Sequence, residues 1–285
     1  MKFLQFPVTR FFLGIFVIGL VTSIAQIGTE VWPGRETSFA QVLSVLITVT
    51  AASLAYYGFV HVIEKRAVTE LSLSRAGREL AGGVALGALL FSATIGILWL
   101  FGFYQVSGIN QWTVIVPGLV LAIFSGVIEE IFIRGLLFRI MEESLGTWIA
   151  LALSAVIFGF LHLANPNATL WGAVAIAIEA GIMLAAAYVY TRHLWLPIGI
   201  HFAWNFFQGS IFGVAVSGNE VQGLLQSTLT GSVLLSGGTF GAEASIFAVV
   251  ICLIAGISLT ILAIKQGNFI ESVWMRHKSN KTETE

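Results

Sequence analysis

The sequence predicts an all-α, polytopic membrane helical bundle of about eight transmembrane helices, with both termini cytoplasmic. Three observations carry that prediction. Only 10% of the 285 residues are charged and 57% are hydrophobic, with a mean hydropathy of +0.90, whereas a soluble domain carries about 25% charge. Apolar stretches near 11–28, 42–63, 82–103, 112–137, 147–164, 169–190, 195–214 and 244–264 are long enough, or nearly so, to span a bilayer. Basic residues alternate between connections. Lys2, Arg10, Lys65, Arg66, Arg75, Arg78, Arg139, Arg192, Lys265, Arg276, Lys278 and Lys281 fall on one side and only Arg35 on the other, which places the basic side in the cytoplasm.

Each stretch reads as a helix because lipid leaves no backbone polar group unsatisfied. The first ends near Ser23-Ile24-Ala25, which also resembles a signal cleavage site; an uncleaved span suits a multispan chain better. The fourth stretch contains Glu129-Glu130-Ile131-Phe132-Ile133-Arg134, with the polar piece Glu142-Glu143-Ser144 beyond it. The fifth ends at His162, before the turn signal Asn165-Pro166-Asn167. The sixth holds Glu179, which reads as a packing residue or a partner for Arg134 rather than as part of a site. In the seventh, Pro197 sits one turn before His201 and either opens the helix or kinks it. The connection 215–243 is rich in Gly, Ser and Thr, lacks Lys and Arg, and reads as a disordered or a partly inserted outer loop. The expected organisation is a single transmembrane domain over 1–285, with a motif-bearing core at 112–214, the outer loop at 215–243 and a cytoplasmic tail at 266–285.

Composition removes several function classes. A net charge of -1 offers nothing to a nucleic acid. The single cysteine, Cys252, lies in an apolar run and rules out disulfides and multi-cysteine metal sites. All fifteen acidic residues are Glu, so an intramembrane Asp dyad is impossible. Neither HExxH nor GxSG occurs.

Ionisable residues inside a membrane span cost roughly 2.5–3.5 kcal/mol each and are functional by default. Glu130 and Arg134, four apart, can pair on one helix face. Glu129 points about 100° away from Glu130 and is left for another task. His201 and Asn205 share a face of the seventh stretch by the same spacing. If the fourth, fifth and seventh stretches pack together, Glu129, His162, His201 and Asn205 form one polar cluster. Such a set supports addition of water to a carbonyl, with a Glu held by a His as general base and His and Asn donating to the oxyanion. The same Glu and two His suit a divalent metal such as zinc, so no cofactor follows from the residues alone. A non-proteolytic protein remains the alternative, either a proton-coupled transporter or a scaffold of the immunity type.

These residues closely resemble the motifs of the CPBP intramembrane proteases, the CAAX prenyl endopeptidase and bacteriocin-processing family, also called Abi. The Glu-Glu pair followed by Arg is matched by Glu129, Glu130 and Arg134; Phe-x-x-x-His by Phe158 and His162; His-x-x-x-Asn by His201 and Asn205. The resemblance covers about 120–218. It implies an eight-helix membrane fold and an intramembrane endopeptidase acting on a membrane-associated peptide or protein in the lipid bilayer. Glu129 and His162 would activate water, His201 and Asn205 would support the oxyanion, and Glu130 and Arg134 would orient or brace the site. The family is described both as metallo- and as glutamate proteases; the Asn and the missing third His favour metal-free chemistry. One conflict stands out. Counting 1.5 Å per residue from the expected span ends places Glu129 and His201 near the cytoplasmic third of the bilayer and His162 near the opposite face.

Overall fold

The computed structural model describes residues 3–275 apart from 33 and 274. Lys2, Arg276, Lys278, Lys281 and most of the expected tail 266–285 lie outside the described residues. Helix α1 (Pro7–Glu30) opens on Pro7, whose missing N–H costs nothing at a helix start. Helix α2 (Ser38–Phe59) is capped by Thr37, whose hydroxyl accepts from the Ala40 N–H, and runs on through a π-helical turn, Val60–Glu64. Helix α3 is Ala76–Leu100. Helix α4 starts as Ile115–Glu130, passes through the π-helical segment Ile131–Phe138 and finishes as Arg139–Leu145. Helix α5 (Thr147–Leu161) ends in a single 3-10 turn, His162–Ala164. Helix α6 (Leu170–Thr191) holds another π-helical segment, Ala177–Ile182. Helix α7 (Trp195–Asn205) continues as the π turn Phe206–Ile211, and α8 is Ile246–Lys265.

Seven of these helices are long and apolar enough to cross a membrane. The chain is an all-α multi-pass membrane protein. The seventh apolar stretch, 195–214, which folds as α7 and its π turn, is not among them. Pro197 falls in the first turn of α7, where its ring is tolerated, and opens the helix rather than kinking it.

The conflict in depth disappears because α4 does not end near Leu137. It runs to Leu145, so Glu142-Glu143-Ser144 completes it. The chain reverses at Gly146 (φ 78°), where an added Cβ would lie 2.8 Å from the Ser272 nitrogen. From that turn, Glu129 on the outgoing arm and His162 on the returning arm are each on the order of 25 Å away at 1.5 Å per residue. Two nearly equal antiparallel arms return them to one depth.

Small residues set how closely α7 approaches its neighbours. A Cβ at Gly83 would lie 2.4 Å from the Leu196 carbonyl oxygen, and one at Gly87 2.4 Å from that of Ile200. On the other side, a Cβ at Gly126 of α4 would lie 3.0 Å from the Phe202 nitrogen. Helix α7 is thus wedged between α3 and α4 by backbone-to-backbone contact, the packing that small residues allow in membranes.

Two short strands lie outside the spans. Strand β1 (Tyr104–Ile109) pairs antiparallel with β2 (Leu225–Leu229), Tyr104 opposite Leu229, with a bulge between Val106 and Gly108. The connection 215–243 is not shapeless. It supplies β2, and its first residues are pinned by Asn165 and Asn167, whose side-chain amides donate to the carbonyls of Ser217 and Gly218 at 3.0 Å. At the basic end of the bundle, Arg10, Glu64, Arg66, Glu70, Arg139 and Glu143 form one ion-pair network, with Arg139 at 2.7 Å from both Glu64 and Glu143.

Candidate functional site

The site begins on α4. Glu130 and Arg134 form the expected ion pair, Nη1 to Oε1 at 2.7 Å, and both are essentially inaccessible. The second guanidinium nitrogen, Nη2, donates to the carbonyls of Ala180 and Gly181 at 2.9 and 3.2 Å. Arg134 therefore clamps α6 through its backbone, and the expected pairing with the Glu179 carboxylate is not made among the described residues. The Arg134 guanidinium also lies 4.7 Å from the centre of the Phe158 ring.

Glu130 has a second duty. The same Oε1 accepts from His201 Nδ1 at 2.9 Å. A carboxylate accepting at Nδ1 fixes the proton there, so the neutral ring presents Nε2 as an acceptor. That Nε2 lies 3.8 Å from Glu129 Oε2. The adjacent glutamates thus address the two nitrogens of one imidazole: Glu130 buried and paired, Glu129 half-exposed. Glu129 Oε2 has no hydrogen-bond partner among the described residues.

His162 is fixed by its own helix. Its Nδ1 donates to the Phe158 carbonyl, four residues back, at 2.8 Å, which leaves Nε2 unprotonated in the neutral ring. Phe158 explains the rest of that motif: its ring meets His162 edge-on at 4.8 Å and His201 at 6.2 Å while carrying Arg134 on its face. Glu129 and His162 line one cleft of about 270 Å³ with Ile128, Phe132, Phe158 and Asn165. They make no direct hydrogen bond to each other. Asn205 donates to Ser125 Oγ at 2.9 Å, and Asn205 and His201 meet His162 in a small adjoining cavity. The four residues expected from the sequence therefore line two adjacent spaces with His162 and Phe158 in the wall of both.

Two contributors went unnoticed in the sequence. Ser125 stands one turn before Glu129 on the same face of α4, a spacing that in retrospect marks it. Glu243 arrives from the loop: its carboxylate accepts from the Ser217 N–H, and it lines the small cavity with Glu179, His201 and Asn205. Burial first of all raises the Glu243 carboxyl to about 7, against the lowering effect of its bonds at Ser217. Glu179 is buried with Oε2 unpartnered and lines this cavity. Among the described residues no three His, Cys or Glu side chains converge as a metal set, so the residues as placed do not assemble a zinc centre, although both histidines keep Nε2 free.

Residues 110–207 match the family described as type II CAAX prenyl endopeptidase Rce1-like. Comparison with curated proteins and with solved structures gave no match. The family match agrees with the resemblance carried by the three motifs.

Proposed function

We propose that this chain, an intramembrane CAAX-type protease in general kind, hydrolyses a peptide bond of its membrane-associated substrate in the cleft between α4 and α5. The observation that carries the reading is Glu129 and His162 facing one cleft from antiparallel helices, each with an uncommitted acceptor atom. Water in that cleft gives its proton to Glu129 or His162 as hydroxide adds to the carbonyl carbon. General bases so placed contribute about 10²–10⁴-fold. The developing oxyanion faces Asn205 and His201. One N–H of the Asn205 amide is spent on Ser125, and the other is left to donate. With Nδ1–H committed to Glu130, His201 donates from Nε2 only as the imidazolium. Collapse of the tetrahedral adduct breaks the C–N bond, and the proton held by Glu129 or His162 passes to the leaving amine. Glu130 and Arg134 act as positioning residues, one holding His201 and the other holding α6.

Mass spectrometry of membrane peptides tests the reading, comparing cells that carry the active protein with cells that carry Glu129→Gln. Cleaved species should appear only with the active protein. Identical peptide sets at equal protein levels would return the chain to the transporter or scaffold class.

A further inference from the structure

Away from the site, two clefts follow one another along α3; the first is walled by the end of α6, the start of α7 and the residues just past α8, the second by α8 itself. The first, about 480 Å³, is lined by Arg75, Arg78, Gly82, Arg192, Gln266 and Asn268, with Glu79 also in its wall. The second, about 490 Å³, is lined by Leu86, Leu90, Ile254, Ser258, Leu259 and Leu262. On α3, Gly82, Leu86 and Leu90 succeed each other at four-residue steps and so share a face. On α8, Leu262 precedes Gln266 by the same step. The polar cleft at the helix ends therefore lies in line with the apolar groove.

The charges in the polar cleft are unequal in their commitments. Arg192 is bound to Glu142 at 2.6 Å. Glu79 receives His193 Nδ1 at 2.9 Å. Arg75 and Arg78 are exposed, and the side chain of neither makes an ion pair or hydrogen bond among the described residues. Two free guanidinium groups at a membrane edge suit a phosphate, which their planar forks can grip with paired hydrogen bonds. The groove beyond them is almost wholly apolar, and Ile254 and Leu262 are 61% and 43% exposed. A soluble anion would use the arginines and leave that groove unfilled. A ligand that uses both has an anionic head and a hydrocarbon chain.

We propose that the space between α3 and α8 binds one anionic phospholipid, its phosphate at Arg75 and Arg78 and an acyl chain along Leu86, Leu90 and Leu259. The ligand class follows from the order of the two cavities, charge first and hydrocarbon next, and from their place on the basic side of the bundle. Because α3 is the helix whose Gly83 and Gly87 seat α7, the lipid braces the back of the helix that carries His201 and Asn205.

Native mass spectrometry of the full chain in detergent, given equal amounts of phosphatidylglycerol and phosphatidylcholine with the same acyl chains, tests the proposal. One phosphatidylglycerol per chain should be retained, with roughly tenfold preference over phosphatidylcholine. Replacing both arginines by alanine should bring the ratio to parity, and replacing both by lysine should keep most of the preference. At Gly82 an added side chain meets nothing within 4 Å, so Gly82→Leu should fold and, by standing between cleft and groove, reduce retention of both lipids. Glycerol phosphate, the same charge without chains, should bind far more weakly than phosphatidylglycerol. Equal retention of the two lipids by the wild-type chain would overturn the proposal. So would undiminished retention in Gly82→Leu, or glycerol phosphate binding as well as the lipid.

Discussion

Two polar clusters lie inside this bundle, and they differ in how completely they are satisfied. At the basic end, Glu64 is held by Arg66 and Arg139, and Glu70 by Arg66 and the Tyr56 hydroxyl. Arg139 spends its Nε on the Gly135 carbonyl and its other nitrogens on Glu64 and Glu143. Arg10 Nε is the one nitrogen of that network without a partner among the described residues. Around the site, Glu129 Oε2, Glu130 Oε2, Arg134 Nε, Glu179 Oε2, Trp204 Nε1 and Gln208 Oε1 are all buried and unpartnered. A buried polar atom left unpaired costs about 1–3 kcal/mol. A cluster that keeps several such atoms is built to meet something else, while a saturated cluster holds helices in place. The contrast teaches that ionisable residues in the spans of one chain need not share a purpose, and that hydrogen-bond saturation separates bracing from chemistry.

Breaking the saturated cluster should have the largest effect. Arg139→Ala takes the 2.7 Å partner from Glu64, whose side chain is wholly buried, leaving it Arg66 and a 3.6 Å contact to Arg10, and breaking a buried pair by removing one member costs up to about 3–5 kcal/mol. A strongly lowered melting temperature in detergent is expected, with turnover per folded molecule preserved. Arg134→Ala should likewise destabilise more than Glu129→Ala, because it strands Glu130 and frees two α6 carbonyls. Equal melting of those two variants would erase the distinction between bracing and reacting residues.

Loss of the proposed oxyanion donor comes next. Asn205→Ala should lower kcat by about 10²–10³ with little change in KM. Its melting temperature should stay near that of the wild type, since the bond it loses, to Ser125, is a single neutral one. A fall in stability matching the fall in rate would move Asn205 into the bracing class.

The pH dependence of folding sharpens the comparison further. Glu70 is buried, which raises its carboxyl, but its bonds from Arg66 and Tyr56 outweigh that and leave it below the ordinary 4.5. Its contribution to stability is present above that value and is lost as pH falls through the lowered one. Glu243, raised from 4.5 to about 7, works in the opposite direction. The folded chain binds the extra proton, so stability declines as pH climbs from about 4.5 to 7. Melting curves of Glu243→Gln against wild type should diverge across that interval, the variant being relatively more stable at its upper end. Parallel curves would show that Glu243 is not held as described. The smallest expected effect is that of metal removal: turnover should survive a strong chelator, and purified protein should hold less than one metal per chain. Chelator inactivation reversed by zinc would replace the water-activating step while keeping the same Glu and His residues.

Much of this was legible in the sequence because lipid imposes strong rules. Apolar stretch lengths gave the helices, and four-residue spacings gave the Glu130–Arg134 pair and the shared face of His201 and Asn205. Where helices end was less legible. Nothing in the apolar pattern marks the continuation of α4 to Leu145, because its last turns are polar yet buried: Glu142 is held by Thr147 and Arg192. The π-helical segments following Glu130 and Asn205 and containing Glu179 also escape a reading based on 3.6-residue periodicity. Glu243 was the least legible. Its position depends on a loop shaped by glycines at positive φ, Gly237, Gly238 and Gly241, and on long-range bonds to Asn165 and Asn167, none of which has a periodic signature.

The proposed division of roles has Glu129 react while the saturated cluster holds. It is tested most directly by turnover per folded molecule, measured on purified protein in vesicles with a membrane peptide found to be cleaved in cells. Glu129→Gln keeps the shape of the side chain and removes its basicity. The account predicts a loss of at least about 10²-fold in turnover with an unchanged melting temperature. Full turnover by Glu129→Gln, or a loss of activity explained entirely by unfolding, would contradict it.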